Sequence, residues 1–313
     1  MPHVPVLLKE VITYLDPKPG EFIVDGTLGS RGHSIEIVKH ISPSGTLLGV
    51  DWDREMIVKS ESQTAPKQNE FVAGQANRTN AILVQGNYAD LPEILAERKL
   101  PKPDGLLLDL GFSSVQLHAG KGFSFDRDEP LLMTYNDERT PAKTVLREID
   151  EATLARIIRE YGGERMSKRI ARAIKERVRE KGIETSGELA DAVRAALPRN
   201  YERSRRRGGA HRIDPATRTF QALRIYVNDE LGNLEKILRA LPNAMNRNGR
   251  VVIISFHSLE DRLVKNYFKA FEREGIADVL TKKPVRPHRS EIENNPRSRS
   301  AKLRALQVLC STS

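Results

Sequence analysis

Short apolar runs without polar alternation, each closing near an acid or a glycine, punctuate the first third of the chain. Residues 22–25 (FIVD), 46–51 (TLLGVD), 81–86 (AILVQG) and 104–111 (DGLLLDLG) are of this kind, and they predict strands buried on both faces. Residues 34–41 read as a helix after the first run, and residues 54–63 (REMIVKSESQ) begin another after the second. Alternating strand and helix implies a parallel sheet covered on both sides.

After Gly111 the pattern changes from strand runs to helical periodicity. Residues 151–161 (EATLARIIREY) and 164–181 (ERMSKRIARAIKERVREK) predict helices separated by Gly162 and Gly163. A third helix follows in residues 185–198, where Thr185 and Glu188 have the spacing of a capping box. Residues 200–213 (NYERSRRRGGAHRI) form a loop with five arginines and a histidine around Gly-Gly. Asp214 and Pro215 then open a long helix expected to reach about Leu241, an N-cap acid followed by proline in the first turn. Residues 249–258 (GRVVIISFHS) resume the sheet, and the basic, polar tail from Lys282 ends in an apolar stretch expected to return as an edge strand. The expected organisation is α/β: a sheet domain in two parts, 1–114 and 214–313, with an α-helical domain inserted at 115–213.

Composition adds a partner. The formal net charge is +9, which favours a polyanion, with nucleic acid first among candidates. Cys310 is the single cysteine, so the chain has neither an internal disulfide nor a cysteine-built metal site, which suits a reducing cytoplasm. The apolar run before Lys9 is too short for a signal peptide, and no stretch approaches the roughly 20 apolar residues of a membrane helix.

The chemistry concentrates at residues 22–34 (FIVDGTLGSRGHS). Gly26, Gly29 and Gly32 follow a strand but lack the GxGxxG spacing of a dinucleotide site. Such a turn serves either close packing or the approach of a ligand. Asp25, Asp51 and Asp109 end three strands, Tyr88 follows another, and ligands of open α/β sheets bind at these ends. Asp51 suits a ribose diol and Tyr88 an adenine face. Three acids and no phosphate-binding lysine motif suit a nucleoside cofactor without phosphate, such as S-adenosyl-L-methionine. The alternative is acids that are merely solvated or cap helices.

HVPVLLKEVI, VDGTLGSRGHS, DGLLLDLGFSSVQL, KGFSF, YGGERMSKRIARAI, DPATRTFQALRIYVNDEL, SFHSLEDRLVK and NPRSRSAKLR run in order from about His3 to Arg304. Together they resemble the RsmH (MraW) family of bacterial methyltransferases, which use S-adenosyl-L-methionine to modify N4 of a cytosine in 16S ribosomal RNA. The resemblance implies a Rossmann-like methyltransferase sheet with an inserted α-helical domain, in a cytoplasmic protein without a membrane part and compatible with a homodimer. It puts the cofactor on Arg31, Gly32, His33, Asp51, Tyr88, Asp109 and Gln116, to which the turn itself adds Asp25 and Gly29. It implies 16S rRNA within the small ribosomal subunit as partner. Arg31 stands where the family usually has glycine, its N–H expected to stay available, and residues 130–136 read PLLMTYN where the family has PLDMRMD.

Methyl transfer to an exocyclic amine needs an acceptor for the N4 hydrogens and correct positioning more than a strong base. Asp109, the hydroxyls of Ser113 and Ser114, and His257 are the candidates, with a plain hydrogen bond to a backbone carbonyl as the alternative for His257. The target base must leave its stack. Arg203, Arg205, Arg206, Arg207 and Arg212 are the expected RNA contacts. Two rival readings are a nicotinamide oxidoreductase and a non-catalytic ribosome-assembly factor on the same fold.

Overall fold

The computed structural model describes residues 4–53, 56–58, 80–111, 120–198, 201, 214 and 216–310. The chain divides into two units, residues 1–113 with 231–313, and residues 114–230.

The first unit begins with α1 (Leu8–Leu15), β1 (Phe22–Asp25), α2 (Gly32–Ile41) and β2 (Thr46–Asp51). β3 (Asn80–Gln85), α3 (Leu91–Glu97) and β4 (Gly105–Asp109) follow. All four strands lie where the apolar runs predict them. Of the helix expected at 54–63, Met56, Ile57 and Val58 are described and are helical, and the rest falls outside the described residues.

The chain then builds the second unit from α4 (Ala142–Glu148), α5 (Glu151–Glu160), α6 (Ser167–Glu180), α7 (Ser186–Ala196) and α8 (Ala216–Asn228). Thr185 caps α7 as expected, its hydroxyl accepting from Glu188 N at 3.3 Å while the Glu188 carboxylate accepts from Thr185 N at 3.2 Å. Gly162 packs so closely that a Cβ would stand 2.5 Å from the carbonyl oxygen of Arg218, and Gly163 turns with φ +63°, which together explain the Gly-Gly between α5 and α6. Lys175 is buried, and its ammonium closes α4 by donating to the carbonyls of Leu146, Arg147 and Ile149 at 2.8, 3.2 and 2.6 Å.

The expected border after Ile213 is corrected to Glu230. Ala216, Phe220, Leu223 and Val227 of α8 are buried in the core of the second unit, so this helix belongs there. The expected single helix to Leu241 is also broken. Asp229 has φ 50°, and α9 (Glu230–Ala244) starts after it. The buried Asn228 accepts from Tyr135 N at 2.9 Å and donates to the Met133 carbonyl at 2.8 Å, contacts that hold the end of α8 in place.

The first unit resumes with α9, β5 (Arg250–Ser255), α10 (Ser258–Arg273), β6 (Ala277–Val279), α11 (Arg289–Asn294) and β7 (Lys302–Val308). The sheet order is β3-β2-β1-β4-β5-β7-β6. β1 to β5 are parallel, and β7 runs antiparallel between β5 and β6. The C-terminal stretch is therefore an interior strand, against the expectation of an edge. The three residues of β6 are too short to stand out by periodicity, and they take the edge.

Alternate residues of the strands enter two cores. Val24, Leu48, Leu106, Leu108 and Ile253 pack with α3, α9 and α10 on one face. Ile23, Leu47, Leu107, Val252 and Ile254 pack with α1 and α2 on the other. Both faces being covered is why the runs are continuously apolar. Each fully buried leucine contributes about 1.5–3 kcal/mol of hydrophobic stabilisation. Connections leave β1 toward β2 on one side and return to β4 on the other, so a crevice opens at the carboxyl ends of β1 and β4.

Candidate active site at the strand ends

The glycine turn lies at that crevice, held by backbone and side chain together. Gly26 N donates to the Leu107 carbonyl at 2.9 Å and Leu28 N to the Val50 carbonyl at 3.0 Å, tying the turn to β4 and β2. A Cβ on Gly26 would come within 2.5 Å of Leu108 and 3.1 Å of Tyr88, so only glycine fits. Asp51 clamps the turn: its carboxylate accepts from Gly29 N at 2.8 Å and from Asp53 N at 2.9 Å.

Asp25 is buried at the end of β1, accepting from Thr27 N at 3.1 Å and from the Ser34 hydroxyl at 2.5 Å. Burial raises its pKa, partly opposed by the Ser34 bond. Thr27 also links two strand ends, its hydroxyl accepting from Asp109 N at 2.6 Å.

Asp109 ends β4 and is the acid best placed for chemistry. Among the described residues its Oδ1 is buried without a hydrogen-bond partner. Burial pushes its pKa up to about 6; His33 opposes this, and Asp25 and Glu260 add to it. Asp51 is also pushed up to about 6 by burial, against the bonds from Asp53 and Gly29.

His33 is buried in the first turn of α2, with Nδ1 3.7 Å from Asp109 Oδ2. Its Nε2 lies 2.8 Å from the carbonyl of Val6. A carbonyl only accepts, so Nε2 carries a hydrogen. Val6 belongs to an N-terminal strap over the turn, where a Cβ on Gly32 would meet Pro5 at 3.0 Å.

Arg31 sits at the N-cap of α2 with φ 62°. That left-handed conformation suits the glycine that the resemblance leads one to expect there, and it strains an arginine. Its N–H is not available as expected, because it donates to the Leu28 carbonyl at 2.8 Å.

Tyr88 begins a helical turn capped by Asn87, whose side chain accepts from Ala89 N at 2.8 Å and donates to Asn233 at 2.7 Å. The ring of Trp52 stands 6.4 Å from that of Tyr88, centroid to centroid. Sequence reasoning missed Trp52, although the chain's single tryptophan directly follows a strand-end acid.

His257 caps α10. Its Nδ1 accepts from Glu260 N at 3.4 Å, while the buried Glu260 carboxylate accepts from Phe256 N at 2.8 Å and His257 N at 3.2 Å. The glutamate three residues after the histidine carried this capping signal, which the sequence reading did not use. The alternative of a bond to a backbone carbonyl is corrected to one from a backbone N–H. Ser113, Gln116, Arg203, Arg205, Arg206, Arg207 and Arg212 lie outside the described residues. Residues 130–136 belong to the second unit, where Leu131 and Met133 are fully buried and Thr134 nearly so.

Among the described residues, this set of groups offers a negative, partly desolvated crevice with one buried open acceptor, Asp109 Oδ1, backed by two aromatic rings. The model of the MraW methylase family matches residues 1–309. The ribosomal RNA small subunit methyltransferase H of Geotalea uraniireducens is 44% identical, over 98% of each chain. Those of Syntrophus aciditrophicus and Clostridium botulinum are 42% and 40% identical, over at least 97% of each chain. Among solved structures, an rRNA methylase from Streptococcus thermophilus aligns over 96% of this chain and 93% of its own, at 8% identity and a TM-score of 0.42. An S-adenosylmethionine-dependent O-methyltransferase from Thermotoga maritima aligns over 98% and 66%, at 10% identity and a TM-score of 0.41.

Proposed function

Because the chain belongs to the MraW methylase family, we propose that it transfers the methyl group of S-adenosyl-L-methionine to N4 of a cytosine in small-subunit ribosomal RNA, within the small ribosomal subunit. It is a methyltransferase, with that nucleoside as methyl donor and ribosomal RNA as substrate class. Membership in a methylase family removes the oxidoreductase alternative.

The observation that carries the site assignment is the convergence of Asp25, Asp51 and Asp109 on one glycine turn, with Asp109 Oδ1 buried and unpartnered among the described residues. These residues fit the cofactor. It brings a ribose diol, an adenine, a cationic tail and no phosphate; the turn brings carboxylates, aromatic rings and backbone. Asp51 takes the ribose hydroxyls on the lone pairs left beyond its bonds to Gly29 and Asp53. Tyr88 and Trp52 offer faces to the adenine. The backbone of Arg31, Gly32 and His33, with Gly29 before them, sets the turn's close approach, and Gln116 completes the set assigned by resemblance.

When bound, the cofactor supplies a methyl on a sulfonium, already a good leaving group. This chain's residues then have to orient the amine and accept its hydrogens. Asp109 is the acceptor for the N–H donors that enter the crevice, and its raised pKa makes it a better one at neutral pH. Ser113 is a second acceptor, and His257 shapes the crevice by fixing the start of α10. Arg203, Arg205, Arg206, Arg207 and Arg212 hold phosphates of the RNA. A nucleophile attacking the ring, as carbon-5 methylation requires, is not part of this reading. Cys310 is exposed, its thiol directed at the Gly275 carbonyl 3.6 Å away.

The test is transfer of labelled methyl from the cofactor to small-subunit particles that lack the modification, followed by nucleoside mass spectrometry. N4-methylcytidine from wild type and from Cys310→Ser is expected. A 5-methylcytidine product, or a folded but dead Cys310→Ser enzyme, overturns the mechanism. Binding to the particles without any transfer favours the non-catalytic assembly factor.

A further inference from the structure

The basic tail singled out in the sequence is not used by the site described above. Between Thr281 and Ser300 the chain carries six lysines and arginines, Lys282, Lys283, Arg286, Arg289, Arg297 and Arg299, against two glutamates. All six are exposed. One glutamate, Glu293, pairs with Arg289 at 2.9 Å, and the other, Glu291, accepts the N–H of Leu7 at 2.8 Å.

This segment is pinned along its length. Val285 and Leu303 exchange backbone bonds of 2.9 Å in both directions. The buried Thr281 accepts from Ala305 N at 2.9 Å, and the buried Ser298 donates to the Asn295 carbonyl at 2.8 Å. Asn295 donates to the carbonyl of Val4 at 3.1 Å. Together Asn295 and Glu291 hold the strap whose Val6 carbonyl meets His33 and whose Pro5 covers Gly32. The basic segment thus borders the glycine turn through a single layer of chain. A free tail would relieve the repulsion of its positive charges by spreading. Held at fixed positions, Lys282, Lys283 and Arg286 repel one another unless an anion lies across them.

We propose that residues 282–299 form a second phosphate-binding surface for RNA, on the sheet unit itself and separate from the arginine loop at 203–212. Its ligand is the sugar–phosphate backbone close to the target base, which neutralises the segment and presents the unstacked base to the crevice. The inference rests on the RNA-methylating function proposed above.

The experiment compares two triple variants with equal loss of charge. One is Lys282→Ala/Lys283→Ala/Arg286→Ala. The other is Arg262→Ala/Lys269→Ala/Arg273→Ala, exposed residues of α10. Binding of transcribed small-subunit rRNA is measured across a salt series, and cofactor binding by calorimetry. The first variant is expected to flatten the plot of log affinity against log salt by about 2 units, at roughly 0.7–0.9 per phosphate contact. It should raise KM for the RNA substrate at least tenfold, with kcat and cofactor affinity near wild type. The second should keep most of the wild-type slope. Equal flattening in both variants would show net charge alone, and a wild-type slope in the first would show no contact; either overturns the surface. A wild-type protein that binds the cofactor but no RNA would instead defeat the RNA reading as a whole, and this surface with it.

Discussion

His33 Nδ1 stands 3.7 Å from the Asp109 carboxylate, while His33 Nε2 is committed to the carbonyl of Val6. Burial at the end of β4 outweighs the favourable charge interaction between that ring and the carboxylate. Asp109 is therefore held in the crevice at a cost to the fold. Its folded pKa is raised to about 6, above the ordinary carboxylate value, by burial first of all. A group raised in this way adds stability below the unfolded pKa near 4, and that stability is lost as pH rises through 6. At pH 8 the buried charge costs on the order of 3 kcal/mol. Asp109→Asn should therefore melt higher than wild type at pH 8, with the gap closing between pH 6 and pH 4. Scanning fluorimetry across that range measures it. The same variant should lose nearly all methyl transfer.

Asp51 joins structure to ligand. Asp51→Ala removes an acceptor for the ribose hydroxyls and also the clamp on Gly29, and the expected loss is about tenfold to a hundredfold in cofactor affinity, or roughly 1.5–3 kcal/mol. Calorimetry reads it. Unchanged affinity in a folded variant would remove Asp51 from the cofactor site.

At Arg31 the backbone carries φ 62°. Glycine adopts that conformation without the penalty of about 1–2 kcal/mol that a Cβ incurs, while losing more entropy on folding. Arg31→Gly should fold with stability within about 1 kcal/mol of wild type and bind the cofactor within threefold. Arg31→Val, branched at Cβ, should fall by more than 1 kcal/mol in a denaturant titration.

In the second unit, the Lys175 ammonium donates to three carbonyls at the end of α4. Lys175→Met keeps the aliphatic stem and leaves those carbonyls without their donor, at an expected cost of about 1–3 kcal/mol. Burial lowers the Lys175 pKa, and the nearby Arg179 lowers it further. Charge reduction by neutralising Arg179 should thus stabilise the ammonium. Chemical denaturation of Lys175→Met and of Arg179→Gln tests both statements.

The strands were legible because burial on both faces writes itself as unbroken apolar runs, as in Leu106-Leu107-Leu108. The capping box at Thr185 and Glu188 was equally readable, since its bonds lie within four residues. The break at Asp229 was not. Its neighbour Asn228 bonds to Met133 and Tyr135, nearly a hundred positions earlier, and no local pattern encodes such a contact. In the crevice, strand-end acids could be listed from sequence because each closes an apolar run. The roles of Thr27 and Ser34, small hydroxyl residues that bond Asp109 and Asp25, depended on how the turn folds back. So did the loss of the Arg31 N–H to Leu28.

The division of the sheet around the second unit sets an order of events at the ribosome that makes the chain. β4 pairs with β5, Gly105 opposite Arg250, yet residues 110 to 249 must be synthesised between them. At about 5–20 residues per second, the β4 edge waits roughly 7–30 s for its partner. Its neighbour β1 is already available, but the side meant for β5 stays open, with Leu106, Leu107 and Leu108 at that border. The helices of the second unit rely on nearer contacts and can form during the wait. The nascent chain is therefore most exposed to strand-to-strand aggregation between the emergence of Asp109 and that of Ser255. Ribosome-bound chains stalled in that interval should engage chaperones, and full-length chains should release them.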